Sequence, residues 1–286
     1  MSRKCFICGT ANSNRKGAIG KYSLLECPKC GLQFIDPVPD SDRLSAIYSD
    51  YYKAWGIDDS PEIVSVMKKG TFSGYLEKIR NHVRSGRLLD VGCATGEFMQ
   101  VAQEKGFDVY GAEISPYGIK RCQELFGKDK IITSSLSKDH FPPDYFDVIT
   151  LADVIEHLSE PAVFWDIIYN VLKPNGILMI VTPDTSSLFK KLMGMRWLHY
   201  KEEHIYYYSR FNIALPLSGW FEVVALNSAY KTLNLKYCLD VLRSYSKNVV
   251  TRSIIQVFDH LPNRVILYPF KINIGELFVI FRKVTV

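Results

Sequence analysis

Asp90-Val91-Gly92-Cys93-Ala94-Thr95-Gly96 is the stretch from which the fold can be read. It continues a short apolar run, Arg87-Leu88-Leu89-Asp90-Val91, and precedes Phe98 to Lys105, which has helical character. A strand that turns through glycine into a helix leaves open backbone at the carboxyl edge of a sheet, where a ligand can approach. The loop reads G-x-A-x-G, so it lacks both the G-x-G-x-x-G of a dinucleotide site and the Gly-Lys-Ser/Thr ending of a phosphate loop. Glu113 follows 23 residues after Asp90, at the end of the next strand. A carboxylate there can accept both ribose hydroxyls of an adenosine.

Working outward, strands and helices alternate. Phe107 to Ala112 reads as a strand, Pro116 to about Phe126 as a helix, and Lys130 to Thr133 and Phe146 to Leu151 as further strands. The next helix has Ser159 as a cap, Pro161 in its first turn, and Val163, Ile167 and Val171 at i, i+4, i+8. Lys173-Pro174-Asn175-Gly176 ends it, and Ile177 to Val181 is a fifth strand. Two more strands are expected at Phe221 to Leu226 and Leu277 to Arg282, around a helical insertion at about 230–262. This order predicts an α/β domain over 86–286, with a mostly parallel sheet and helices on both faces.

Four of the seven cysteines fall near the start, as Cys5-x2-Cys8 and Cys27-x2-Cys30 with 18 residues between the pairs. That is zinc-ribbon spacing, and each pair is followed by glycine, which suits a tight knuckle. Four thiolates around Zn²⁺ make a closed, structural site. About 35 residues bury too little apolar surface to fold alone, so metal binding would supply the missing free energy. A ribbon is therefore expected over 1–36. Cys93, Cys122 and Cys238 are isolated and read as small buried hydrophobes. Between ribbon and sheet, 37–85 reads as a linker through Pro37 and Pro39, then a helical, aromatic lid. That lid carries Tyr48, Tyr51, Tyr52 and Trp55, with apolar spacing at Ile63, Val66, Met67 and Tyr75.

The net charge of +5, from 35 basic and 30 acidic side chains, is diffuse, with no run of five like charges. It permits an anionic partner without demanding one. No apolar stretch of signal-peptide type follows the basic start, and Lys271 and Glu276 interrupt the apolar region from Val265 to Phe281. A cytoplasmic protein is expected, and there CxxC pairs more often hold metal than form disulfides.

Together these blocks resemble the class I S-adenosylmethionine methyltransferases, in a bacterial branch with an N-terminal zinc ribbon. The matching residues are Asp90 to Phe98, Gly111-Ala112-Glu113-Ile114-Ser115, Phe146-Asp147-Val148-Ile149, Asp153-Val154-Ile155-Glu156-His157-Leu158 and Leu172-Lys173-Pro174-Asn175-Gly176. The resemblance covers about 86 to 229 and implies a Rossmann-like, seven-stranded sheet. It departs at Ala94, where the family usually has glycine, and at Ser134-Ser135-Leu136, where an acidic residue is common. It implies that Asp90, Gly92, Cys93, Ala94 and Gly96 form the methionine side of the cofactor site and that Glu113 holds the ribose. Ile114 would flank the adenine with Leu136, beside Ser135, and Leu151, Ala152 and Asp153 would close the pocket.

The sulfonium methyl is already activated, so alignment in a dry pocket does most of the work, and a hydroxyl acceptor adds the need for a base. His157, after the fourth strand, and His204, in the aromatic stretch Trp197 to Ser209, are the candidate bases. The expected reaction is methyl transfer to a small-molecule or sugar-containing (glycan-type) acceptor, most often at oxygen. An RNA base methyltransferase with a ribbon that binds nucleic acid, and a non-catalytic docking module, are the alternatives.

Overall fold

The structure, a computed structural model, describes residues 3–40, 43, 61–245, 258 and 261–284. Tyr48, Tyr51, Tyr52 and Trp55 lie outside the described residues.

Thirteen strands and seven α-helices are described. β1 (Asn14–Ile19), β2 (Tyr22–Glu26) and β3 (Gln33–Asp36) form an antiparallel meander, and α1 (Pro61–Arg80) leads into the main sheet. There β4 (Gly86–Val91), α2 (Glu97–Glu104), β5 (Phe107–Ala112), α3 (Pro116–Phe126) and β6 (Ile131–Ile132) alternate. They are followed by β7 (Phe146–Ala152), α4 (Pro161–Val171) and β8 (Leu172–Pro183). After α5 (Leu188–Met193) and β9 (Tyr206–Tyr207) come β10 (Phe221–Ser228), β11 (Lys231–Leu233) and α6 (Leu235–Tyr245). The described chain closes with α7 (Asn263–Ile266), β12 (Phe270–Ile272) and β13 (Glu276–Lys283).

The seven-stranded sheet has the order β10-β13-β8-β7-β4-β5-β6. Pairing is parallel from β8 to β6, while β13 lies antiparallel between β8 and β10. The central strands read as continuous apolar runs because both faces are covered: Leu88, Leu89, Val148, Ile149, Leu178, Met179 and Ile180 are all fully buried. The fold class expected from the sequence is the one found.

Gln33–Asp36 ends the ribbon as a strand that pairs with β2 and, at Phe34 and Gln33, with Tyr206 and Tyr207 of β9. Local readings change elsewhere. The insertion at about 230–262 is not wholly helical: β11 pairs antiparallel with β12, Lys231 opposite Ile272. Helix α4 is capped at Glu160, without a side-chain cap, and Val163 is 54% exposed. Its buried face is Phe164, Trp165, Ile167, Ile168 and Val171, a wider stripe than the i, i+4, i+8 spacing marked. Likewise Val66 stands on the exposed side of α1, while Met67 and Tyr75 are buried.

Ile168→Ala is therefore expected to cost about 2–5 kcal/mol of stability. Val163→Ala should stay within about 0.5 kcal/mol of the unmodified chain. Urea unfolding of the two variants, compared at equal m-value, checks the assignment.

Candidate active site

In a parallel sheet the register decides which loops meet. Val91 is opposite Ala112 on one side and Leu151 on the other, and Ala112 is opposite Ile132. The loops after β4, β5, β6 and β7 therefore open at one edge, which is where the sequence placed its cofactor residues.

The first of these loops is wound left-handed at alternate positions: Gly92 at φ 72°, Ala94 at φ 50° and Gly96 at φ 85°. Gly92 must be glycine for space as well, since a Cβ there would come within 2.7 Å of Val154 Cγ2. Ala94 adopts the same region with a side chain, at a cost of order 1 kcal/mol. Its N–H donates to Glu113 Oε2 at 2.8 Å, while the N–H groups of Ile114 and Ser115 donate to Glu113 Oε1 at 2.9 and 2.8 Å. The carboxylate is thus oriented by three backbone donors and retains lone pairs for a diol. Beside it Ile114 is 54% exposed, an apolar face open at the mouth, whereas Leu136 is buried and Ser135 is exposed. Cys93 is buried with its Sγ 3.7 Å from that of Cys122.

Asp90 lies behind the loop. It is buried and accepts the Thr150 hydroxyl at 2.7 Å. Burial pushes its pKa up to about 7, against the Thr150 hydrogen bond and with the help of the negative charges of Glu113 and Glu97. Asp153, just past β7, is the other left-handed non-glycine residue of this edge, at φ 56°.

Asp153 opens a second group of charges that the sequence reading missed. Lys231 Nζ is 3.4 Å from Asp153 Oδ2 and 2.6 Å from Glu276 Oε1, and His199 Nε2 is 3.7 Å from the same Glu276 oxygen. Burial pushes Glu276 up to about 7 although Lys231 attracts it. Burial opposes the charge on Lys231, yet Asp153 and Glu276 hold its pKa well above the ordinary lysine value. One ammonium thus serves two carboxylates. A lysine in a supposed helical insertion and a glutamate at the head of the last strand carry no sequence pattern that pairs them. A cavity of about 420 Å³ between α1, Tyr230 and Lys271 has Tyr75 on its wall but none of the strand-end residues.

The candidate bases meet each other. His157 follows β7 in a short turn, His204 comes from the segment before β9, and their rings are 4.7 Å apart, edge to face. His157 Nδ1 lies 3.0 Å from the Glu203 carbonyl. His204 is buried, and burial lowers its pKa well below that of a free imidazole. Burial likewise brings His157 down to about 4, so both rings are neutral at pH 7.

The four N-terminal cysteines converge as their spacing predicts. Cys5 Sγ is 3.5 Å from Cys30 Sγ, Cys8 Sγ is 3.4 Å from Cys27 Sγ, and all four sulfurs lie within 4.8 Å of one another. The two knuckles are built alike: Gly9 N–H donates to the Cys5 carbonyl at 2.8 Å and Gly31 N–H to the Cys27 carbonyl at 2.9 Å. Both glycines are left-handed, at φ 72° and 70°. Such a set fits a tetrahedral, thiophilic ion with no position left over. The meander is not free-standing. Asn212 Nδ2 donates to the Cys30 carbonyl at 3.1 Å, Tyr200 Oη to Gln33 Oε1 at 2.7 Å, and Ile35 N–H to the Ile205 carbonyl at 3.0 Å.

The raised Asp90 pKa carries a pH signature. A carboxyl whose native pKa is about 7 and whose unfolded value is about 3.9 binds more protons in the native state between those limits. Its contribution is complete below pH 4 and is lost as pH rises towards 7, at up to about 1.4 kcal/mol per pH unit. Asp90→Asn keeps an acceptor for Thr150 and cannot ionise. The gap in unfolding free energy between this variant and the unmodified chain should therefore shift in the variant's favour from pH 4 to 7; a constant gap in urea titrations would show that Asp90 stays charged.

The chain matches a family model described as "Methyltransferase domain" over residues 69–217. It is 36% identical over 99 residues to 2-methyl-6-phytyl-1,4-hydroquinone methyltransferase of Synechocystis, covering 32% of this chain and 30% of that protein. It is 26% identical over 125 residues to the ubiquinone biosynthesis O-methyltransferase of Psychrobacter cryohalolentis, covering 41% and 48%. The chain thus spans from under a third to about half the length of these curated relatives. Among solved structures, a SAM dependent methyltransferase from Archaeoglobus fulgidus superposes with a TM-score of 0.53 at 19% identity, over 82% of this chain and 100% of that one, a likeness of fold. None of the described helices is long and apolar enough to cross a membrane. With the family model covering half the chain and including the left-handed loop and Glu113, this protein belongs to the methyltransferase-domain family.

Proposed function

We propose that the chain transfers the methyl group of S-adenosylmethionine to a small-molecule acceptor, at oxygen. The observation that carries this reading is the Glu113 carboxylate, set by three backbone N–H groups beside the left-handed loop from Gly92 to Gly96. Those residues suit an adenosine-bearing ligand. Glu113 would hold the ribose hydroxyls, Ile114 and Leu136 would flank the base, and Gly92, Cys93, Ala94 and Gly96 would pass along the methionine portion. Asp90 would act from behind, fixing the loop against Thr150, and Leu151, Ala152 and Asp153 would form the floor. Bound there, the cofactor supplies an electrophilic methyl carbon. The protein's part is to align the acceptor, keep water out and receive a proton.

The relative named a ubiquinone biosynthesis O-methyltransferase supports an oxygen acceptor, and the one named a 2-methyl-6-phytyl-1,4-hydroquinone methyltransferase supports a small-molecule ring. A glycan-type acceptor fits the same chemistry. His157 and His204 are assigned to the acceptor side as candidate bases; burial keeps both imidazoles neutral, ready to accept a proton, while making each a weaker base than a free histidine. The Cys5, Cys8, Cys27 and Cys30 cluster is assigned to structural Zn²⁺. The pairing of β3 with β9 gives that ion a purpose, because the folded ribbon then holds the segment that carries His204.

Calorimetric titration with S-adenosylhomocysteine should show micromolar binding, weakened at least tenfold in Glu113→Ala. No binding by the metal-loaded chain would overturn the cofactor assignment. Removing zinc with a strong chelator under reducing conditions should raise amide exchange in β2, β3 and β9 together while β4 and β7 stay protected. Exchange confined to residues 5–36 would show that β9 does not depend on the ribbon.

A further inference from the structure

Helix α5 carries more apolar surface than it buries. Phe189 and Met193, one turn apart, pack onto the cluster that Ile19, Leu24 and Ile35 of the ribbon form with Trp197 and Tyr207. Leu188 and Leu192, also one turn apart, turn outward and stand 71% and 78% exposed. The tight turn Gly194–Arg196 continues this outer stripe: Met195 and Leu198 are exposed, while Trp197 between them is buried. One inward stripe is enough to seat a helix of six residues. Scattered exposed leucines are ordinary, but a second apolar stripe on one short segment marks a surface with an occupant.

The charges around the stripe are of one sign. Between residues 185 and 200 the chain carries Lys190, Lys191 and Arg196 and no acidic residue. Lys191 shares the outer face, falling at i+3 from Leu188, with Leu192 at i+4 and Met195 at i+7. Strand β1 lies alongside, since a Cβ on Gly17 would come within 2.7 Å of Met195 Cε. It adds Arg15 and Lys16, both exposed, and residues 14–21 again hold no acid. Lys16 bridges Glu26 at 3.3 Å, and Lys190 is drawn to the same carboxylate. Arg15, Lys191 and Arg196 have no acidic partner within 4 Å among the described residues. A net charge that is diffuse along the sequence is thus gathered by the fold at one place.

We propose that this face is a docking surface for an anionic phospholipid bilayer. Leu188, Leu192, Met195 and Leu198 enter the headgroup boundary, and Arg15, Lys16, Lys191 and Arg196 meet lipid phosphates. The combination selects the partner. A single-stranded nucleic acid would use the cations but stacks on aromatic rings, not on leucines. A second copy of this chain, related by a two-fold axis, would set like charges against each other. An anionic bilayer takes up both features at once. So few apolar side chains give reversible attachment rather than anchoring. Helix α5 begins just past the end of β8, which runs parallel to β7, so docking brings the edge of the candidate active site next to the membrane.

The test mixes the zinc-loaded full chain with vesicles of phosphatidylcholine and phosphatidylglycerol in equal parts, or of phosphatidylcholine alone, and measures bound protein by flotation. Binding should be at least tenfold stronger to the anionic vesicles and should weaken as salt is raised. Leu188→Ser with Leu192→Ser, and separately Lys191→Glu with Arg196→Glu, should each weaken it at least tenfold with unchanged far-ultraviolet dichroism. All four positions are exposed, so the variants should fold; if the leucine pair does not, Leu192→Ser alone serves, with a smaller loss expected. No binding to the anionic vesicles, or equal binding to both kinds, overturns the proposal. So does binding that the leucine variant retains in full, which is adsorption by charge alone. A dimer that the leucine variant abolishes, seen by sedimentation without vesicle binding, assigns the face to a second copy and overturns it too. The docking goes beyond the methyl-transfer reading and does not rest on it, since S-adenosylhomocysteine titration reads the cofactor site and flotation reads this face.

Discussion

The constraint on which the site depends is the parallel register of β4 with its two neighbours. Val91 opposite both Ala112 and Leu151 obliges three strands to end at one level. Each must then reverse within a few residues, in a crowded place, while its backbone polar groups find partners. The left-handed residues 92, 94 and 96 are the solution for β4, and Asp153 is the solution for β7. The Glu113 carboxylate gathers the N–H groups that those reversals expose. Cofactor binding as proposed would in this sense be an outgrowth of how the sheet edge satisfies itself: the groups that close the turn are those that would face a ligand.

The second organising feature is the segment from His199 to Tyr208. It gives two residues to the ribbon's sheet, one N–H to the turn after β7, and a histidine to the side of His157. Its aromatic density is consumed in this joint. Tyr206, Tyr207 and Tyr208 are all buried, Phe6 of the first knuckle packs edge-on to Tyr206 at 4.7 Å, and Phe34 lies in the same cluster. The dense aromatics at 197–209 are therefore a packed seam between ribbon and sheet, with polar side chains placed along it.

How much of this was legible follows from the range of each interaction. The alternation of strands and helices, the glycine turn after β4 and the cysteine set are written in local spacing: a strand, a turn and a helix within 15 residues, or two CxxC pairs. Those signals act over one or two elements and survive without tertiary context. The face of α4 was less legible, because Val163 fits a helical period yet the sheet claims Phe164 and Trp165 instead. Least legible were the pairs that exist only through topology. Lys231 is brought to Asp153 across 78 residues, and Gln33 to Tyr200 across 167. β11 reads as part of a helical stretch because its three residues are too few to show a period of two.

The charges at 153, 231 and 276 bear on the acceptor's chemistry. A single ammonium between two carboxylates leaves the group with a net negative charge once both acids ionise, and burial resists that state by pushing Glu276 up to about 7. A sulfonium cofactor bound at this edge, as proposed, would bring a positive charge and lose it on methyl transfer. The field of Asp153, on the floor proposed for the cofactor, would favour the charged cofactor over its neutral product. Lys231, 3.4 Å from Asp153, would temper that preference by neutralising that carboxylate. Such a balance would ease product release, and it would depend on a lysine held in place by the short pairing of Lys231 with Ile272. The segment after β10 thus reaches the Asp153 and Glu276 carboxylates through one side chain at its root.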